Sequence, residues 1–433
     1  MTVPSRKKAV SRRPVLRKSD LALPFTEALR VLRAAEAATD FPIEIRNELP
    51  AIISHWLQSR SEPPILLDES FSTRWEAILS DYTSGADWAP SKSRIGVKPK
   101  RVHIDYSGLP LYPSLPRAEF TFIDLFSGIG GFRIGLENCG GKCVFSSEWN
   151  EESQQTYFKN FGEVPFGDIK KLSSKKLINY KVDVLAGGFP CQPFSLAGVS
   201  ARNSTGQNHG FECEDQGQLF FDIIRLAKSH QPKMLFLENV GNLTSHDKGR
   251  TFQTIKETIE NELNYHFYFR KYNCNPLVPQ SRVRCIIVAF ENPPKDKGWE
   301  LPELGGPPLP LRPFLEKRID SEAYTISDAL WEGHKNRSKK NVERGVGFTA
   351  YERDLDKPAP TLVARYYKDG KECLIPQRSR NPRMLTELEC ARLQGFPNDF
   401  VPHSTRSHAY RQFGNAVPVP LVEFVAKNAL EQI

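Results

Sequence analysis

The 433-residue sequence predicts an α/β protein: a Rossmann-like, mixed but mostly parallel sheet with helices on both faces, extended by a smaller second domain and an N-terminal helical region. Five short apolar runs, Phe120 to Leu125, Cys143 to Ser147, Val182 to Ala186, Met234 to Leu237 and Cys285 to Phe290, are separated by stretches long enough for helices. The first run passes into a glycine turn, Phe126-Ser-Gly-Ile-Gly-Gly131, of the kind that lets backbone approach a ligand. The length exceeds that of one ordinary domain and leaves room for two or three folding units.

Hydrophobic residues at 39% and charged residues at 25% are ordinary values for a globular chain, which excludes wholesale disorder and fibrous repeats. No apolar stretch approaches a membrane span, and the N-terminus carries Lys and Arg without an apolar core, so the expected location is the cytoplasm. Eight cysteines stand singly with no CxxC spacing, which argues for reduced thiols and against a zinc or other metal site. The net charge of +8 is compatible with a polyanionic partner without requiring one.

Residues 1–118 read as a basic tail, with Arg6, Lys7, Lys8, Arg12, Arg13, Arg17 and Lys18, followed by a small helical module. Trp75, Ile78, Leu79 and Tyr82 supply its helical spacing. Residues 119–290 form the main α/β domain. A run rich in Pro and Gly at 293–313 opens the second domain, expected over 291–380. Residues 381–433 return to helix-forming sequence at Leu385 to Leu393 and Val419 to Leu430 and are expected to pack back on the sheet.

Gly128, Gly130 and Gly131 do not give the dinucleotide fingerprint, which argues against a nicotinamide enzyme. Glu148 falls at the end of the next strand, where a carboxylate can accept two ribose hydroxyls. Trp149 can stack on an adenine or be a core aromatic. Asp168, before Ile169, can accept from an adenine amine or cap a helix.

Gly187-Gly-Phe-Pro-Cys-Gln-Pro-Phe-Ser195 places Cys191 on a stiff loop at the carboxyl edge of the sheet, between Pro190 and Pro193. A free thiol is already a few per cent thiolate at neutral pH, so Cys191 is either a nucleophile or a buried structural residue. Glu238-Asn-Val240 sets a carboxyl group at the same edge, as an acid–base group or a helix cap. Gln280-Ser-Arg-Val-Arg284 puts Arg282 and Arg284 on one strand face.

These blocks, with Gly414-Asn-Ala-Val-Pro418, occur in an order that resembles the bacterial DNA cytosine-C5 methyltransferases, over residues 120–433. The resemblance implies Cys191 as nucleophile toward cytosine C6, Glu238 as partner of N3, and Arg282 and Arg284 as supports for a flipped base. It implies S-adenosyl-L-methionine as cofactor, lined by Phe126, Gly128, Gly130, Glu148, Trp149, Asp168, Ile169, Pro190 and Asn415. Ser127 stands where many relatives carry Ala.

Further blocks, His209-Gly-Phe-Glu-Cys-Glu-Asp-Gln-Gly217, Ser245-His-Asp-Lys-Gly249, Ala364-Arg-Tyr-Tyr-Lys-Asp-Gly370 and Ala409-Tyr-Arg-Gln-Phe-Gly414, look like the Dcm and EcoRII-type branch. That branch acts at CCWGG or similar CCNGG sites. On this resemblance 291–380 is a target-recognition domain, and Gln192, Ser195, Arg365, Tyr366, Tyr367 and Lys368 contact duplex DNA. A monomer is expected, with a cognate restriction endonuclease in the same system but not in direct contact. Rival readings are a transfer-RNA cytosine-C5 methyltransferase, disfavoured by the long recognition segment, and a catalytically silent DNA-binding regulator, disfavoured because Cys191, Glu238 and both arginines are present.

Overall fold

The computed structural model describes residues 118–171, 182–190, 215–345 and 350–433, together with Glu48, Ala51 and Ser54. The basic tail, the helical module around Trp75 and the linker before residue 118 lie outside the described residues. The chain divides into two compact units, one of residues 1–117 with 158–164, the other of residues 118–157 with 165–433. In the first, the Ser54 hydroxyl donates to Ala51 O and accepts from Val164 N.

The second unit holds a six-stranded sheet in the order β2-β1-β3-β4-β7-β5. Its strands are β1 (Phe120–Leu125), β2 (Gly141–Ser147), β3 (Val184–Gly188), β4 (Met234–Val240), β5 (His266–Asn273) and β7 (Val283–Phe290). β1, β2, β3 and β4 pair in parallel, whereas β7 runs antiparallel to both β4 and β5. Only β7 is therefore reversed, and the sheet is mixed but mostly parallel. β5 had no counterpart among the apolar runs of the sequence, because this edge strand is only partly covered, with His266, Phe269, Lys271 and Asn273 exposed.

The helices that follow β1 to β4 are α1 (Gly131–Glu137), α2 (Glu151–Phe161), α3 (Asp215–His230) and α4 (Arg250–Glu257). Strands β1, β3 and β4 are buried along nearly their whole length, as expected for strands covered on both faces. One face is closed by the C-terminal helix, Val419–Ala429. Its Leu421, Val422, Val425 and Ala426 join Phe122, Val184 and Phe236 in one core. Gly135 permits that closure, since a Cβ there would lie 2.6 Å from a Val422 methyl carbon.

Residues 291–380, expected as a smaller domain, belong to the same compact unit. They contribute α5 (Asp328–Glu343), β8 (Ala359–Pro360) and β9 (Ile375–Gln377). The short β6 (Gln280–Ser281) pairs in parallel with β8, and β9 pairs with β10 (Arg380–Arg383). Helices α6 (Glu387–Leu393), α7 (Arg406–Asn415) and α8 (Val419–Ala429) complete the chain. A fully buried Glu389 joins these parts. It accepts from Arg383 on both oxygens and from the Glu316 and Thr386 amides, and so closes a capping box on α6.

Candidate active site

The strand order reverses around β1, and the carboxyl ends of β1, β2, β3 and β4 there form the crevice where open α/β sheets bind ligands. Register aligns the contributing residues: Leu125 stands beside Ser147 and Gly187, and Gly188 beside Glu238. Residues one step further along each strand, Phe126, Glu148 and Phe189, therefore share one edge.

Phe126 adopts φ +54°, a left-handed conformation that a phenylalanine rarely takes, and Gly128 and Gly130 follow at φ +54° and +87°. This turn directs the Gly128 amide at Glu148, whose Oε2 accepts from it at 2.8 Å while Oε1 accepts from the Asn150 amide at 2.8 Å. Burial lifts the Glu148 carboxyl above the usual carboxylate range, against the pull of those amides. Trp149 is 77% exposed, so its ring is not a core aromatic. Asp168 accepts from the Lys170 amide at 3.0 Å, capping the short turn over Ile169–Lys171, and Ile169 itself is buried. Asn415, at the end of α7, is exposed.

Asp124 was not among the residues singled out from the sequence. It is wholly buried near the end of β1, and neither carboxylate oxygen has a hydrogen-bond partner. Burial pushes its pKa up to about 8, with Arg133 opposing and Glu148 and Glu137 reinforcing the shift. An acidic residue inside an otherwise apolar strand was the sequence signal for it.

At the other end of the crevice, Glu238 and Arg284 form an ion pair of 2.6 Å with both side chains about nine-tenths buried. Burial raises the Glu238 pKa, while Arg284 and then Arg282 lower it. Gly188 stands opposite, where a Cβ would lie only 3.0 Å from Glu238 Oε2. Asn239, also unremarked in the sequence, donates from Nδ2 to Phe189 O at 3.0 Å and accepts from the Val240 amide. It thereby latches the segment that leads through Pro190 to Cys191. Cys191, Gln192 and Ser195 lie outside the described residues.

Arg282 is fully buried, and its hydrogen bonds go to backbone. Nη1 donates to Leu362 O at 2.7 Å, and Nη2 to Gly414 O at 2.9 Å and Ala416 O at 2.8 Å. Burial, then the neighbouring Arg284, lowers its pKa to about 9, which leaves it cationic at neutral pH. Its position is that of a brace behind the crevice. Gln280 works alongside it, donating to Leu393 O and accepting from the Leu362 amide.

Of the residues expected to contact DNA, Arg365 and Lys368 are exposed. Tyr367 is half-buried, with the Arg411 guanidinium 5.4 Å and the Lys368 ammonium 6.0 Å from its ring centre. Tyr366 is a correction: it is wholly buried, donates to Cys373 O, accepts from the Leu385 amide and meets Tyr410 edge-on. On the single turn Tyr366–Lys368 one of two adjacent tyrosines must face inward, and Tyr366 does.

The model of the C-5 cytosine-specific DNA methylases matches residues 120–431. The chain belongs to that family. It is 43% identical over 323 residues to the type II methyltransferase M.DsaV of Dactylococcopsis salina, covering 74% of this chain and 88% of the relative. Identity to the type II methyltransferase M.SsoII of Shigella sonnei is 42% over 339 residues, 76% of this chain and 85% of the relative. A DNA-cytosine methyltransferase of Escherichia coli K12 is 38% identical over 373 residues, covering 72% and 78%.

Among solved structures, the S. pombe Dnmt2 methyltransferase shares the fold with a TM-score of 0.55 at 18% identity, over 72% of this chain and 99% of its own. As a DNA methylase the protein has DNA as its substrate. Among the described residues no helix is long and apolar enough to cross a membrane, and no cluster of His, Cys, Asp or Glu is placed to hold a metal.

Proposed function

We propose that this chain transfers a methyl group from S-adenosyl-L-methionine to C5 of a cytosine flipped out of a specific duplex sequence, through covalent addition of Cys191 at C6. The observation that carries this reading is the buried Glu238–Arg284 pair, facing the segment that leads into the Cys191 loop. Burial raises the Glu238 carboxyl above its usual range, against Arg284 and Arg282, and so favours the proton-bearing form that a donor to N3 needs. The Cys191 thiolate donates its electron pair to C6, Glu238 protonates N3, and electron density at C5 forms the new bond to the methyl carbon. Loss of the C5 proton to solvent base then expels the thiolate and returns the N3 proton to Glu238. Extruding the base costs a few kcal/mol of unstacking, which the enclosed pocket offsets.

The residues at the cofactor end fit the cofactor. Glu148 suits ribose hydroxyls and the exposed Trp149 ring suits an adenine face. Gly128, Gly130, Asp168, Ile169, Pro190 and Asn415 line the same edge. When bound, S-adenosylmethionine would supply the electrophilic methyl group, its methyl–sulfur bond breaking as the bond to C5 forms, and would leave as S-adenosylhomocysteine. Arg365, Tyr367 and Lys368 face the duplex, and CCWGG or a related CCNGG site is the target that the sequence blocks favour. The protein acts in the cytoplasm, as a monomer.

Bisulfite sequencing of plasmid DNA from a host free of cytosine methylation tests the reading. Protection of one motif by the wild type, lost with Cys191→Ala, is the expected outcome. Full conversion of every cytosine despite soluble wild-type protein would overturn it.

A further inference from the structure

Helix α5 contributes little to the core. Of its 16 residues only His334 is buried, so apolar packing does not account for it. It is held by polar contacts to the recognition segment. His334 Nε2 donates to Asp369 O at 3.0 Å, Arg337 pairs with the Asp369 carboxylate at 3.7 Å, and the Ser338 hydroxyl donates to Ala350 O. Ser327 caps its start. The helix is thus docked at residues 369–370, directly after Arg365, Tyr367 and Lys368.

The outward side of this helix is basic. Lys335, Arg337, Lys339, Lys340 and Arg344 are exposed, against Asp328, Glu332 and Glu343. Lys335 is neutralised by Glu332 at 2.6 Å, whereas among the described residues no ion pair involves Lys339, Lys340 or Arg344. Arg337, Lys340 and Arg344 follow at i, i+3 and i+7 on one stripe; Lys339 stands beside it, with Glu343 flanking Lys339 and Lys340 at i+4 and i+3. The stripe runs about 10 Å along the helix, roughly the axial rise of three base-pair steps of one strand.

We infer that the exposed basic side of α5, centred on Lys339, Lys340 and Arg344, is a clamp for the phosphate backbone of duplex DNA next to the recognition segment. The inference rests on the proposed action on duplex DNA and adds a contact surface outside the pocket. Phosphate contacts fix register without reading bases, and a helix joined to Asp369 passes that register to Arg365, Tyr367 and Lys368.

The test compares the full-length wild type with the triple variant Lys339→Ala, Lys340→Ala, Arg344→Ala and with the charge-keeping variant Lys340→Arg, Arg344→Lys. Binding to a 30-base-pair duplex is measured across salt concentrations, and methyl transfer to unmethylated plasmid is measured alongside. The triple variant should lose about two to three units of the slope of log K against log salt, at about 0.9 per contact, and bind at least about tenfold more weakly at 0.1 M salt. KM for plasmid rises with it while kcat holds, and the charge-keeping variant behaves as wild type.

An unchanged slope in a triple variant with wild-type circular dichroism and melting temperature overturns the clamp. A lowered melting temperature with the slope intact assigns α5 a structural role and overturns it equally. If wild type binds duplex with the expected slope but methylates nothing, the proposed reaction falls and the clamp stands.

Discussion

Arg282→Met keeps the aliphatic stem of the side chain and removes the donors that hold Leu362, Gly414 and Ala416. Two of the three bonds are buried and the third partly so. Stranding a buried acceptor costs about 1–3 kcal/mol, so the loss sums to roughly 3–7 kcal/mol. Removing a cation that is itself unfavourably buried, as its lowered pKa records, returns part of that. A net destabilisation of about 2–4 kcal/mol follows, measurable as a shift of the urea midpoint at unchanged m-value.

The same loss frees the loop that carries Asn415. Affinity for S-adenosylhomocysteine, read by titration calorimetry, should therefore fall, and it should fall less in Gln280→Leu, which leaves the Gly414 and Ala416 contacts in place. A variant within 1 kcal/mol of wild type, with cofactor affinity intact, would refute the idea that these carbonyls depend on Arg282.

Glu238→Gln preserves the shape but leaves no acid to protonate N3, and methyl transfer should drop by about 100-fold or more; a rate within tenfold of wild type in a tritium-transfer assay would remove Glu238 from the mechanism. Asp124 has its folded pKa raised to about 8 from 3.8, so between those values the folded protein holds a proton that the unfolded chain has released, and stability falls as pH rises through that window. Asp124→Asn should flatten this slope of up to about 1.4 kcal/mol per pH unit and melt higher than wild type at pH 8; parallel melting curves for the two proteins from pH 5 to 8 would refute it. Trp149→Ala, at a residue 77% exposed, should change stability by less than about 0.5 kcal/mol yet weaken S-adenosylhomocysteine binding by about tenfold, and equal affinity would deny the stacking role.

Strands covered on both faces were legible because they read as unbroken apolar runs, which is why the structure's β1, β2, β3, β4 and β7 begin within two residues of the runs in the sequence or extend them. The edge strand β5 was not, since in His266-Phe-Tyr-Phe-Arg-Lys-Tyr-Asn273 the three aromatics are cut off by Arg270 and Lys271 and leave only a short apolar run. The reversal of β7 has no compositional mark. At the site, Glu148 and Glu238 could be located because each follows or ends an apolar run. Tyr366 could not, because adjacent aromatics on a single turn do not reveal which one faces in.

What stayed hidden above all were contacts to backbone, because a carbonyl has no letter of its own. The three acceptors of Arg282 come from two segments about fifty residues apart in sequence, one leading into Arg365 and the other carrying Asn415. Gly414 brings these segments together so closely that a Cβ on it would sit 2.3 Å from Val363 C and Ala364 N. Because both neighbours are backbone, neither can rotate away. The position of residues 362–368 relative to Glu238 is therefore held by main-chain fit, the Arg282 guanidinium and the Gln280 amide, so the exposed side chains of Arg365 and Lys368 can change while the fit beneath them stays the same.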